Sequence, residues 1–291
     1  MMSSVPLLTV AMPVFNAGKY LKLAVLSVVA QTFRDWELII IDDGSTDNAV
    51  QEIEALGDAR IKIIRDGKNK GLAARLNEVV DMARGRYLAR MDQDDASYPE
   101  RFARQLELLE RDHTLDVISV RAIRISDNDE MTGVTPCPDT HDLISARPWQ
   151  GFCFPHPTWM GRIEWFRKHR YAQPGPYFCE DQELLLRSYG QSRFASVDRI
   201  LFAYRVREAS NLGRVLKTRW TFLKLQMRHF IGGNQMHYVF LASLVYVGLI
   251  ARDIWWSIKQ MLHLQRQTQA VVDETVKMEW QKIYGEILRN Y

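Results

Sequence analysis

Glu37-Leu38-Ile39-Ile40-Ile41-Asp42-Asp43-Gly44-Ser45-Thr46-Asp47 is the stretch that decides the fold. From Leu38 to Ile41 it is apolar on both faces, the pattern of a strand in a parallel sheet covered by helices on each side. It runs directly into a polar turn whose last residues can cap a helix over about 47–56. Upstream, residues 7–12 form a second buried run stopped by Pro13. A turn at Asn16-Ala17-Gly18 follows, and then Leu21, Ala24, Val25 and Val28 recur at helical spacing. Downstream, 60–65 reads as a strand and 66–71 as a loop, with Leu72, Leu76, Val79, Val80 and Ala83 marking a helix. A strand over about 86–91 then ends in Arg90-Met91-Asp92-Gln93-Asp94-Asp95. Pro99 starts a helix to about 111, and 117–120 is a further strand. Strands alternating with helices of this length predict an α/β fold with a doubly wound, mostly parallel sheet. Ligands of such sheets bind beyond the carboxyl ends of the strands. Both acidic stretches, Asp42-Asp43 and Asp92 to Asp95, fall at such ends.

Three carboxylates within four residues repel one another. A pair of unit charges about 4 Å apart costs roughly 4 kcal/mol at an effective dielectric near 20. A cation is therefore expected among Asp92, Asp94 and Asp95, and oxygen donors of this kind suit Mg²⁺ or Mn²⁺. Metals held by one or two carboxylates complete their shell with water and substrate phosphates. The pattern points to a metal clamping a nucleotide diphosphate; an isolated Asp-rich loop would read as a solvated turn.

The chain has 291 residues, 47% apolar and 25% charged, the composition of a folded globular protein. A net charge of +3 argues against a dedicated nucleic-acid binder. Cys137, Cys153 and Cys179 are widely spaced, odd in number and form no CxxC, so neither a zinc site nor a disulfide frame is indicated and a reducing cytosol fits. The first residues lack the charged and apolar regions of a signal peptide. No Gly-x-Gly-x-x-Gly follows the first strand, against a dinucleotide-binding dehydrogenase. Pro13-Val14-Phe15-Asn16 stands where a nucleotidyltransferase carries a Gly-rich basic loop, against that class too.

From 121 to 160 the pattern is irregular and reads as loops and short strands; Glu180-Asp181 then opens a helix. Past Arg205 the chain turns to long helical stretches rich in Trp, Met and basic residues, with a boundary near 207. Residues 230–251 contain no Asp, Glu, Lys or Arg. Their apolar centre, 238–250, falls short of the roughly 20 residues of a spanning helix. Arg214, Lys217, Arg219, Lys224 and Arg228 precede it beside Trp220, and Trp255, Trp256 and Lys259 follow. Such flanks suit a helix lying in the interface of an anionic leaflet. The alternative is packing on the rest of the chain or on a second copy.

Four segments, in order, resemble the family 2 glycosyltransferases: Pro13-Val14-Phe15-Asn16, Ile40-Ile41-Asp42-Asp43-Gly44-Ser45-Thr46-Asp47, Met91-Asp92-Gln93-Asp94-Asp95 with Pro99, and Glu180-Asp181. The resemblance covers residues 6 to about 206. It implies a glycosyltransferase A-type fold and transfer of a sugar, with inversion, from a nucleotide diphosphate donor, a UDP-sugar first. It makes 1–206 the catalytic domain, nucleotide side to about 120 and acceptor side after, with 207–291 a helical region that meets a membrane or another copy. Asp43 matches the carboxylate that bonds the donor's base, with Pro13 and Phe15 as that pocket's wall. Asp66 and Arg75 fall where further donor contacts lie, in a loop departing from the usual Asn-containing one; by itself a helical Arg reads as solvated. Asp92 and Asp94 match the Asp-x-Asp pair, one near the ribose and one on the metal, with Asp95 the alternative metal ligand. Asp181 matches the general base and Glu180 its neighbour, while His156, in Phe-Pro-His-Pro-Thr, matches the acceptor or phosphate side. The implied cofactor is Mn²⁺ or Mg²⁺. The implied acceptor is a saccharide, free or on polyprenyl diphosphate, in cell-surface polysaccharide or glycolipid synthesis at the inner face of the cytoplasmic membrane. The rival is a transferase-like scaffold without activity, whose mark would be loss of the acidic pair or the base; this chain keeps both.

Overall fold

The computed structural model describes residues 5–176, 178–206, 212–261 and 273–289. The first half alternates as expected: β1 (Leu8–Val14), α1 (Tyr20–Val29), β2 (Trp36–Asp42), α2 (Ala49–Glu54), β3 (Ile61–Arg65), α3 (Leu72–Met82) and β4 (Tyr87–Arg90). Then come β5 (Ala96–Ser97), α4 (Arg101–Arg111), β6 (Val117–Ile125), β7 (Met131–Thr135), α5 (His141–Ile144), β8 (Met160–Arg162) and α6 (Ile163–Lys168). The chain closes with α7 (Glu180–Ser188), β9 (Phe194–Arg205), α8 (Leu212–Gly232), α9 (Met236–Met261) and α10 (Glu274–Arg289).

One sheet runs β3-β2-β1-β4-β8-β6-β9-β5, with β7 paired to β6. The strands β3, β2, β1 and β4 are parallel, and every residue of β1 and β2 is buried, which is why neither shows polar alternation. The second half is mixed: β8 is antiparallel to β4 and β6, and β9 is parallel to β6. This revises the irregular reading of 121–160. The strand begun at Val117 continues to Ile125 and turns into β7. Its polar residues Arg121 and Arg124 broke the apolar run that signals a strand. β9, twelve residues long, was not foreseen because Asp198-Arg199 interrupts its buried positions.

Side chains alternate between two apolar layers. Leu8, Val10, Met12, Leu38 and Ile40 face α1, α2 and α4. Ala11, Ile39 and Ile41 face α3, α6 and α7. The helical C-terminal region divides between these layers: Trp280 and Ile287 of α10 join the first, and Leu223, Phe230 and Ala242 of α8 and α9 the second. The expected boundary near 207 lies between β9 and α8, at 207–211, outside the described residues.

Candidate active site

The turns after β1 and β2 are clasped together at the carboxyl end of the sheet. Asn16 and Gly18 donate backbone N–H groups to Ser45 Oγ (3.0 Å) and Asp47 Oδ2 (2.8 Å), and Thr46 N–H returns to Asn16 Oδ1 (2.8 Å). Gly44 has φ +81°, and a Cβ there would stand 3.2 Å from the Lys68 carbonyl carbon, so this turn needs glycine. Asp43, 5% exposed, accepts from the N–H of Lys70 (2.7 Å) and Gly71 (2.9 Å) and from Arg75 Nε (2.8 Å). Three of a carboxylate's roughly four acceptor sites are thereby filled, leaving room for one further donor. Pro13 is buried in β1 and Phe15 is 45% exposed beside it.

Asp66 and Arg75 do come together with Asp43, but Arg75 is not a solvated helix residue: it is 1% exposed. Its guanidinium is shared among Asp43, Asp66 (2.6 Å) and Glu78 (2.7 Å). The bond from Arg75, followed by those from Lys70 and the Lys68 N–H, holds the Asp66 carboxyl well below its ordinary range. In this structure Arg75 fixes the loop that carries Asp66 and leaves no part of its fork for a ligand.

The acidic loop has counter-charges that sequence reading did not assign. Arg90, at the end of β4 and 2% exposed, pairs with Asp92 at 2.7 Å. Arg205, from the end of β9, donates its backbone N–H to Asp95 Oδ1 (2.7 Å) and its Nε to the Asp94 carbonyl (2.7 Å). Arg101 lies buried beneath, bonded to the Arg90 carbonyl (2.9 Å), and burial pushes its pKa down to about 9. Gln93 exchanges two hydrogen bonds with the Phe15 backbone (2.7 and 3.1 Å), tying this loop to the nucleotide side. These arginines incompletely neutralise the loop: among the described residues Asp95 Oδ2 is buried without a hydrogen-bond partner, and burial with the nearby Asp92 and Asp94 charges pushes the Asp95 carboxyl well up.

Asp181 and Glu180 open α7, where the helix dipole favours negative charge. Asp181 Oδ2 accepts from Gln182 Nε2 (3.2 Å), and Gln182 is itself locked by two bonds to the Phe152 backbone (2.8 and 3.1 Å). Burial raises the pKa of both carboxyls, and the Arg90 charge works in the opposite direction on each. His156 is 8% exposed, its Nε2 spent on Tyr171 Oη (2.7 Å) and its ring edge-on to Trp159. Burial and then Arg90 drive its pKa well down, so it is a neutral core residue rather than an open acceptor contact. Arg90 thus stands within electrostatic reach of Asp92, Glu180, Asp181, Tyr171 and His156. Among the described residues its Nε and Nη1 are buried without a hydrogen-bond partner.

The donor set fits a hard divalent cation: all-oxygen, with residual negative charge at a strand end. Among the described residues no group of three His, Cys, Asp or Glu side chains could enclose a metal. A cation here would therefore use Asp94 with Asp92 or Asp95 and leave most of its shell to phosphate and water.

A mostly parallel sheet whose acidic loop and Glu180-Asp181 pair gather about Arg90 has counterparts among known glycosyltransferases. The profile of glycosyl transferase family 2 matches residues 9–170. Putative glycosyltransferase EpsE of Bacillus subtilis is 31% identical over 215 residues, 72% of this chain and 76% of the relative. The Escherichia coli UDP-Glc:alpha-D-GlcNAc-diphosphoundecaprenol beta-1,3-glucosyltransferase WfgD is 32% identical over 103 residues, 35% of this chain and 41% of the relative. Two solved structures share the fold. S. aureus TarS 1–349 with UDP-GlcNAc has TM-score 0.60 and 18% identity, over 76% of this chain and 66% of that one. Pyrobaculum calidifontis mannosyltransferase PcManGT with GDP-Man and Mn²⁺ has TM-score 0.58 and 13% identity, over 98% and 86%. This chain belongs to glycosyl transferase family 2.

Proposed function

We propose that the protein transfers a sugar, with inversion and metal assistance, from a UDP-sugar to a lipid-linked saccharide in cell-surface polysaccharide or glycolipid synthesis. The observation that carries this reading is that the 92–95 loop, Glu180 and Asp181 gather about the buried Arg90, while Gln93 ties that loop to Phe15, beside the turn that carries Asp43. The donor's base sits against Pro13 and Phe15 and gives a ring N–H to Asp43, while Asp92 lies beside the ribose. Asp94, with Asp92 or Asp95, would hold Mn²⁺ or Mg²⁺. When bound there, a divalent ion would supply positive charge toward the departing diphosphate. Asp181, ionised, takes the proton of the acceptor hydroxyl as its oxygen bonds the anomeric carbon. The bond from that carbon to the diphosphate breaks, its electron pair leaves with UDP, and the configuration inverts. Burial makes Asp181 a stronger base than an ordinary carboxylate, which suits proton abstraction. A UDP donor is supported by the names of WfgD and the TarS complex, and a lipid-linked acceptor by the name of WfgD and by the apolar α9.

The test is thermal denaturation with UDP-, GDP- and other nucleotide sugars, with and without Mn²⁺. A ligand at 100 times its Kd stabilises the native state by about 2.7 kcal/mol. A UDP-sugar should raise Tm, and more so with Mn²⁺. A response to GDP-sugars alone would overturn the donor assignment, and no response to any nucleotide sugar would overturn the reading.

A further inference from the structure

We infer that the cavity between α7, loop 149–153 and the α8–α9 hairpin receives the hydrocarbon chain of the acceptor; this rests on the lipid-linked reading above. The cavity has a volume of about 430 Å³ and is walled by Phe152, Phe222, Leu223, Val245, Tyr246 and Leu249, among others. Gln182 forms part of the same wall and bonds Asp181, so the apolar space and the base share one side chain. α9 is apolar on two sides. Ala242, Val245, Tyr246 and Leu249 face the cavity, whereas Phe240, Leu244 and Val247, at helical spacing, are 64%, 54% and 64% exposed. A helix with water on its outer side carries polar residues there; one apolar all round has apolar surroundings on both sides. The polar side of the hairpin is basic, with Arg214, Lys217 and Lys224 exposed on α8, which complements an anionic leaflet and the phosphates of a lipid carrier. Hydrocarbon outside α9, hydrocarbon room inside it and the base at the inner end place a lipid-borne hydroxyl at Asp181. The lining also holds Gln150, Gln182 and Gln226, and against its apolar wall each buried methylene favours a chain.

The experiment is calorimetric titration of the full chain, in metal-free buffer, with inorganic diphosphate, geranyl diphosphate and farnesyl diphosphate. Affinity should rise through the series, by at least about tenfold from geranyl to farnesyl as five more apolar carbons leave water. Val245→Trp, which fills the cavity from α9, should remove that gain. UDP-sugar hydrolysis and the affinity for inorganic diphosphate should stay unchanged. Thr218→Phe fills it from α8 and decides the matter if the first variant fails to fold. Equal affinity for the three probes, or farnesyl affinity untouched by both variants, would overturn the inference. So would a Val245→Trp chain that changes from dimer to monomer in sedimentation and keeps its farnesyl affinity, since the cavity would then be a contact between copies. Flotation with anionic vesicles reads the membrane claim separately. A chain that floats without a chain-length series contradicts the cavity alone; one that does neither contradicts both.

Discussion

At the scale of single residues the site is governed by one buried cation. Arg90 lowers the pKa of Asp181 and Glu180 while burial raises them. Removing it should push both carboxyls further up, and the base must be ionised to act. Arg90→Met should therefore shift the acid limb of the kcat/KM pH profile upward by about one unit, the low end of what a neighbouring opposite charge achieves. Arg90→Lys should leave the limb in place, and an unmoved limb in the Met variant would contradict the role. The raised Asp181 pKa also has a stability consequence. A carboxyl whose folded pKa exceeds its unfolded one stabilises the fold in its protonated form, a contribution lost as pH rises through the folded value. Asp181→Asn should hence raise Tm at pH 7. The gap should close as pH falls toward the ordinary carboxyl value of 3.8. A lower Tm in the variant at pH 7 would show that the Asp181 charge does not destabilise the fold.

At the scale of elements, the last helix braces the acidic loop. Trp280 stacks on Tyr98 and donates Nε1–H to the Asp129 carbonyl (2.7 Å), and Tyr284 Oη bonds Asp129 Oδ2 (3.0 Å). Asp129 in turn pairs with Arg205, which holds Asp94 and Asp95. Trp280→Phe keeps the stack but loses one hydrogen bond, worth about 1 kcal/mol. It should raise KM for the donor several-fold at fixed Mn²⁺ while kcat changes little; an unchanged KM would mean the brace is structural alone. A chain cut near 207 would lose this brace together with the α8–α9 hairpin. None of this was legible in the sequence, because Arg205 lies 110 residues from Asp95 and 76 from Asp129. What was legible is local: the apolar run into Asp42-Asp43 and the charge crowding at Asp92 to Asp95 each signal a strand end by themselves. The expected counter-cation reads as metal, whereas arginines from β4 and α4 supply part of that charge and Arg205 of β9 adds hydrogen bonds to the loop. Arg90 stood in plain view at the head of that loop. A charged residue closing a strand gives no sign of pointing inward until β8 and α7 cover it.

At the scale of the whole molecule, α10 lies on one face of the sheet and the α8–α9 hairpin on the other, next to Asp181. Among the described residues α9 is the one helix long and apolar enough to cross a membrane, over Met236–Lys259 with mean hydropathy 1.5. That revises the short apolar centre read from sequence, since the helix continues through Trp255 and Trp256. Arg219 of α8 pairs with Asp253 of α9, which keeps the two helices side by side and favours a hairpin lying in the interface. The full chain should float with anionic liposomes at low salt and lose binding at high salt; retention at high salt would indicate insertion, and no flotation would remove the membrane reading. The central claim, that Asp181 is the base of a nucleotide-sugar transferase, is tested most directly by Asp181→Asn with the donor identified by thermal shift. UDP-sugar binding, by calorimetry, should match the unaltered protein, while UDP release falls by roughly 10² to 10⁴. A variant that loses donor affinity and keeps its turnover would contradict the account and make Asp181 a donor ligand.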